Sequence, residues 1–162
     1  MYRGSLTSTL TAFVNSIGLR VEPAQIPENT FLPGLHITRG TILIDESRLI
    51  YPGDILHEAG HLAVTPAEKR KTISGNAGAD PGEEMTAIAW SYAAAIHIGI
   101  DPAVVFHPHG YHGGSEAILE NFAAGRYFGV PMLQWLGMTA DVNTARELNV
   151  PPYPRMLKWL RD

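Results

Sequence analysis

The stretch Asp54-Ile55-Leu56-His57-Glu58-Ala59-Gly60-His61-Leu62-Ala63-Val64 sets two histidines four residues apart, with a glutamate directly after the first. In a helix, positions four apart stack on one face, so His57 and His61 can grip one ion with Glu58 beside them. Ile55, Leu56, Ala59, Leu62, Ala63 and Val64 make the rest of the run apolar. A surface helix would carry a polar face, so this one must be buried and the remaining chain built around it. A catalytic zinc asks for neutral imidazole nitrogens at about 2.0–2.1 Å and keeps one position open for water. The HExxH spacing meets that demand, and Glu58 is placed to take the proton of such a water.

What surrounds the helix is read from periodicity and punctuation. Leu6, Leu10, Phe13, Val14 and Ile17 recur at helical spacing, with Gly18 as the stop. Prolines 23, 27 and 33 mark Val21 to Pro33 as an irregular connector. Leu35, Ile37, Ile42 and Ile44 alternate with His36, Thr38, Thr41 and Leu43 about Arg39-Gly40, which predicts a hairpin with the four aliphatics on one face and His36 on the solvated one. Proline at 52 suits the opening of the metal helix, which should run to about Val64. Thr65-Pro66-Ala67-Glu68 reads as a capping box that starts a short basic helix, its Lys69-Arg70-Lys71 run a solvated face. A glycine-rich loop is expected from Ser74 to Ala79, and then a long helix capped by Asp80 and ended near Ile98 by Gly99. The loop from His107 to Gly114 precedes a helix capped by Ser115 that should reach about Phe128, with Ile118, Phe122 and Ala123 inward. Short helical turns are expected after Val130-Pro131 and after Thr139, and a terminal turn carries Leu157, Trp159 and Leu160. His97 and the three tryptophans read as core.

These elements make an α+β chain, mainly helical, with a small antiparallel hairpin or sheet beside the metal-binding helix, and 162 residues suit one domain spanning 1–162. A net charge of −4 gives no basic footprint for nucleic acid. With no cysteine, any metal must be held by histidine and carboxylate. The N-terminal residues lack the apolar core of a secretion signal and no stretch is long enough to span a bilayer, so a soluble protein without a membrane partner is expected, and the cytoplasm fits.

Two histidines do not complete a catalytic zinc site. A third ligand is needed, and Glu83 and Glu84 open the long helix a little over twenty residues later. If Asp80 is the cap, Glu83 is expected to turn its carboxylate back to the Asp80 backbone N–H. Glu84 is then the freer of the two, and it leads the face of Ala87, Ile88, Ser91 and Ala95, small enough to dock on the metal helix. The balance favours Glu84.

His57-Glu58-Ala59-Gly60-His61-Leu62, followed by Glu83-Glu84-Met85-Thr86-Ala87-Ile88-Ala89 on a helix, resembles the gluzincin-type zinc metallopeptidases and is most similar in layout to their small bacterial ImmA/IrrE-like members. The likeness covers roughly residues 35 to 98 and departs at Thr86, where that family usually has asparagine. It implies a compact zincin-like domain, Zn2+ held by His57, His61 and Glu84, Glu58 as general base, and a peptide or protein substrate. An oxyanion donor is still needed, and His109, Tyr111 and His112 of the histidine-rich loop are the candidates. The alternative is a metal-binding regulatory or interaction module of the same fold without turnover. Glu58 separates the two in principle, since a structural zinc is closed by four ligands and needs no adjacent base.

Overall fold

A computed structural model of the chain describes residues 2–27, 30–75 and 80–162. Helix α1 spans Ser5–Ser16, strand β1 Arg20–Pro23, strands β2 and β3 Leu35–Thr38 and Thr41–Ile44. Helices α2 (Asp54–Val64), α3 (Ala67–Arg70) and α4 (Pro81–Ile98) follow, then α5 (Ser115–Ala123), α6 (Val130–Trp135) and α7 (Val142–Leu148). The architecture is α+β and mainly helical.

The hairpin forms as the alternation requires. Leu35 pairs with Ile44 and Ile37 with Ile42, all four buried, while His36 faces out. Arg39 and Gly40 both take positive φ, +48° and +75°, which is the two-residue turn whose twist matches antiparallel strands. The connector after α1 is not wholly irregular. Arg20–Pro23 forms β1 and pairs parallel with β3, so the sheet is mixed, with order β1-β3-β2. Val21 alone of the four β1 residues is buried, so β1 carries almost no hydrophobic alternation.

Helix α2 is the buried axis. Ile55, Leu56, Ala59, Leu62 and Ala63 are fully buried, and each large aliphatic contributes about 1.5–3 kcal/mol on leaving water. Its main partner is α4, and the two approach at Gly60. A Cβ built there would meet Ser91 Oγ at 2.9 Å, the Ala87 carbonyl oxygen at 3.0 Å and Trp90 Cε3 at 3.2 Å. Small residues on both helices therefore set their separation, and Ser91 reinforces it by donating to the carbonyls of Leu56 (3.2 Å) and Ala87 (2.7 Å).

Several boundaries differ from expectation for local reasons. Thr65 does not cap α3. Its hydroxyl donates to the His61 carbonyl, closing the end of α2. Arg70 is not part of a solvated run either: its guanidinium donates to the carbonyls of Leu62, Thr65 and Arg161, so it too serves the C-terminus of α2. Ser115 is the first residue of α5 rather than its cap, and its hydroxyl donates to the His107 carbonyl. That helix ends at Ala123, which is exposed, and Gly125 at φ +76° turns the chain away before Phe128. His97 lies exposed in the last turn of α4, its ring flanked by Phe13 and Trp159. Of the tryptophans Trp90 is fully buried and Trp159 packs on the core, but Trp135 is 78% exposed on α6. The last twelve residues hold no helix. Residues 76–79 of the loop expected between Ser74 and Ala79 lie outside the described residues.

No helix among the described residues is long and apolar enough to cross a membrane.

Candidate metal centre

Asp80 caps α4, its carboxylate accepting from the Gly82 backbone N–H. That fixes the register of the next residues and turns the Glu84 side chain towards α2. His61 Nε2 lies 2.7 Å from Glu84 Oε2, and His57 Nε2 lies 3.9 Å from Glu84 Oε1. One donor atom from each of His57, His61 and Glu84 falls within 4.8 Å of the others. Three ligands of a tetrahedral zinc with bonds of about 2.1 Å stand about 3.4 Å apart. The observed separations bracket that value, so small side-chain rotations would bring all three onto one ion. Two imidazoles and one carboxylate are also a donor set that zinc accepts.

The charges of the cluster act strongly on one another. Burial works against charge on His61, but the carboxylates of Glu83 and Glu84, with Glu58 beyond them, outweigh it and push its pKa up to about 9. The same contacts act on Glu84: burial would raise it, but the hydrogen bond from His61 and the nearby imidazoles of His57 and His112 hold it below the ordinary carboxylate value. His57 goes the other way, to about 4, because burial and the repulsion of His61 together outweigh the attraction of Glu84. A proton on His61 thus occupies the place a cation would take, and His57 already presents the neutral ring that a metal requires.

Glu58 is buried on the same helix. Burial raises its carboxyl to about 7, with His61 lowering it and Asp54 and Glu84 raising it. Its surroundings differ from those of the three donors. His57, His61 and Glu84 line a cavity of about 710 Å3, whereas Glu58 lines a neighbouring one of about 310 Å3 together with His36 and Leu35 of β2. Phe31 and Leu32 border both cavities and so stand at their junction.

The histidine-rich loop folds back along the first half of α2. The turn that precedes this loop packs on the start of α2, where a Cβ on Gly53 would overlap the Val104 carbonyl. His109, Tyr111 and His112 all line the larger cavity with the three candidate donors. Their placement is unequal. Tyr111 is not free to meet a substrate oxygen, because its hydroxyl lies 2.7 Å from His57 Nδ1, behind the ring. His109 is exposed and stacks on Tyr51, and His112 is exposed in a left-handed turn.

Two residues of this wall are not among the candidates that the sequence named. Asp54, one turn before His57 on α2, has its Oδ1 2.7 Å from His107 Nε2, and the His107 ring stacks on Tyr51 at 4.0 Å. Burial raises the Asp54 carboxyl, with His107 opposing the shift. Asp54 Oδ2 and His107 Nδ1 are buried without partners beside the cavity. The only hint in the sequence is that Asp54 precedes His57 by three positions and shares its face.

Compared with models of protein families, with curated proteins and with solved structures, the chain finds no match in any of the three.

Proposed function

We propose that the chain is a zinc-dependent hydrolase of zincin-like fold, acting on peptide or protein amides. The observation that supports it most is the convergence of His57, His61 and Glu84 from two helices onto donor separations that suit one ion. When bound there, the ion would supply Lewis acidity, lowering the pKa of water towards about 7 and polarising a carbonyl.

The chain's own residues supply the rest. Glu58, raised to about 7, can both take and return a proton near neutral pH, which is the range in which a general base is most useful. His112 lines the wall of the cavity as an N–H donor for charge developing on a substrate oxygen, and the Asp54–His107 pair packs in the same wall. Phe31, Leu32, Ile88 and Ile118 make apolar lining that would exclude water from a bound side chain.

One observation favours the second reading, a metal-binding module without turnover. Glu58 opens on the smaller cavity, across Phe31 and Leu32 from the donors. The two readings part on Glu58→Gln. For a hydrolase this change should keep zinc content and thermal stability and lower cleavage of a peptide library by about 10²–10⁴-fold. Unchanged cleavage sinks the base role. A protein that binds zinc and cleaves nothing in either form leaves the module reading, and a protein that takes up no zinc removes both.

A further inference from the structure

The two imidazoles that face Glu84 are each backed by a second polar group, and the pattern has no local structural cause. Behind His57 stands the Tyr111 hydroxyl, 2.7 Å from Nδ1. Behind His61 stands Glu83, its Oε1 3.6 Å from Nδ1. Both His61 Nδ1 and Glu83 Oε1 are buried and without a hydrogen-bond partner, so each is the nearest available answer to the other. Glu83 occupies the helix position from which a carboxylate ordinarily returns to the cap backbone, yet its Oε1 turns to α2. Tyr111 is held there at a cost. It and His112 are consecutive non-glycine residues at φ +56° and +52°, a region that side chains with a Cβ rarely occupy.

We infer that Glu83 and Tyr111 are positioning residues that lock His61 and His57 from behind in the orientation a metal ion requires. The inference rests on the proposed metal site. An imidazole that gives its Nε2 lone pair to a cation must carry its proton on Nδ1, and that N–H needs an acceptor. Glu83 Oε1 and Tyr111 Oη are acceptors at the two Nδ1 atoms. His61 Nε2 also stands 2.7 Å from Glu84 Oε2, and the Nδ1 to Glu83 distance of 3.6 Å lies just beyond hydrogen-bond length. With Nε2 given to a cation, Nδ1–H would close on Glu83. The two backing groups differ in kind: a carboxylate raises the basicity of the ring it accepts from, a phenol mainly fixes its angle.

The test is zinc affinity by chelator competition on the full chain, with heteronuclear NMR of the histidine rings in the zinc-loaded protein. Glu83→Ala and Tyr111→Phe should each weaken zinc binding about 10–100-fold while metal-free melting temperatures change little. Glu83→Gln, whose amide oxygen still accepts, should recover most of the loss. In the loaded parent both rings should be protonated at Nδ1, with slowly exchanging N–H signals that are lost from His61 in Glu83→Ala and from His57 in Tyr111→Phe. Affinities within two-fold of the parent for both variants overturn the inference. So does a Glu83→Gln variant as weak as Glu83→Ala with unchanged ring signals. If the parent itself binds no zinc, the metal site has failed, an outcome distinct from parent-like affinity in the variants.

Discussion

Gly60→Ala should destabilise this protein, against the usual rule for glycine inside a helix. On propensity alone, alanine at the middle of α2 gains about 0.5–1 kcal/mol. Packing opposes it. The new methyl would sit 2.9 Å from Ser91 Oγ, 3.0 Å from the Ala87 carbonyl oxygen and 3.2 Å from Trp90 Cε3. Ser91 can rotate only by giving up its bonds to the Leu56 and Ala87 carbonyls, and the Ala87 oxygen belongs to backbone that moves only with α4. Overpacking of this kind costs about 1–3 kcal/mol. The expected net is about 1–2 kcal/mol, or roughly 2–8 °C in melting temperature for a chain of this size. Separating α2 from α4 also parts His57 and His61 from Glu84, so zinc affinity should fall in the same variant. Thermal melts with and without zinc, and chelator competition, measure both. A Gly60→Ala protein that melts higher than the parent, with zinc affinity intact, would refute the account of helix docking at this position.

Two further outcomes follow from named contacts. Arg70→Ala removes donors from two carbonyls at the end of α2 and from that of Arg161 in the C-terminal segment, so chemical denaturation should show a loss of about 1–3 kcal/mol while zinc affinity stays within a few-fold; a loss confined to zinc affinity would contradict the capping role. Zinc loading at about pH 8 should release about one proton more than at about pH 10, measured by calorimetry in buffers of different ionisation enthalpy, because His61 is protonated at the lower pH and neutral at the higher, while Glu58, His57 and a zinc-bound water are in the same state at both. The folded pKa of His61 lies above the ordinary 6.5, so its stabilisation of the protein is complete below that value and is lost as pH rises through about 9. The extra proton should disappear over the same range.

The parts of the site that share a helix were legible in the sequence, and the parts that meet across the chain were not. The four-residue spacing of His57 and His61 and the cap at Asp80 are local and place Glu84 at the imidazole Nε2 atoms, but Glu83 Oε1 turns to His61 Nδ1 rather than back to the cap as expected. The hairpin was legible because Leu35 and Ile37 before the turn and Ile42 and Ile44 after it are aliphatic, alternate with less buried residues, and are all buried. Strand β1 was not, since a parallel partner twenty residues on leaves no local mark and a single buried valine makes no alternation. Tyr111 was read as facing substrate because a sequence cannot say which nitrogen of His57 points outward. Asp54 and His107 meet across 53 positions, through a loop whose path is set by the close approach at Gly53. His97 and Trp135 failed as core for one reason: apolar neighbours in sequence do not guarantee an element to cover the last turn of α4 or the outer face of α6.

His112 offers a case in which backbone and side chain can be separated by experiment. Its φ of +52° follows Tyr111 at +56° and precedes Gly113 at +82°, so the loop crosses three left-handed residues in a row where only glycine is at ease. A side chain with a Cβ costs about 1–2 kcal/mol in that region. His112→Ala keeps the cost and removes the ring, whereas His112→Gly removes both. The glycine variant should therefore be more stable than the alanine variant by about 0.5–1 kcal/mol, the gain reduced by the greater freedom glycine restores to the unfolded chain. Turnover should behave differently. If the His112 imidazole donates to the substrate oxygen, both variants lose the donor and should slow to a similar degree, by up to about 10²–10³-fold, with zinc affinity little changed. Melting temperatures and peptide cleavage on the two variants separate the effects. Equal stabilities would show that the turn is not left-handed in solution, and parent-like cleavage by both would remove His112 from the substrate's reach.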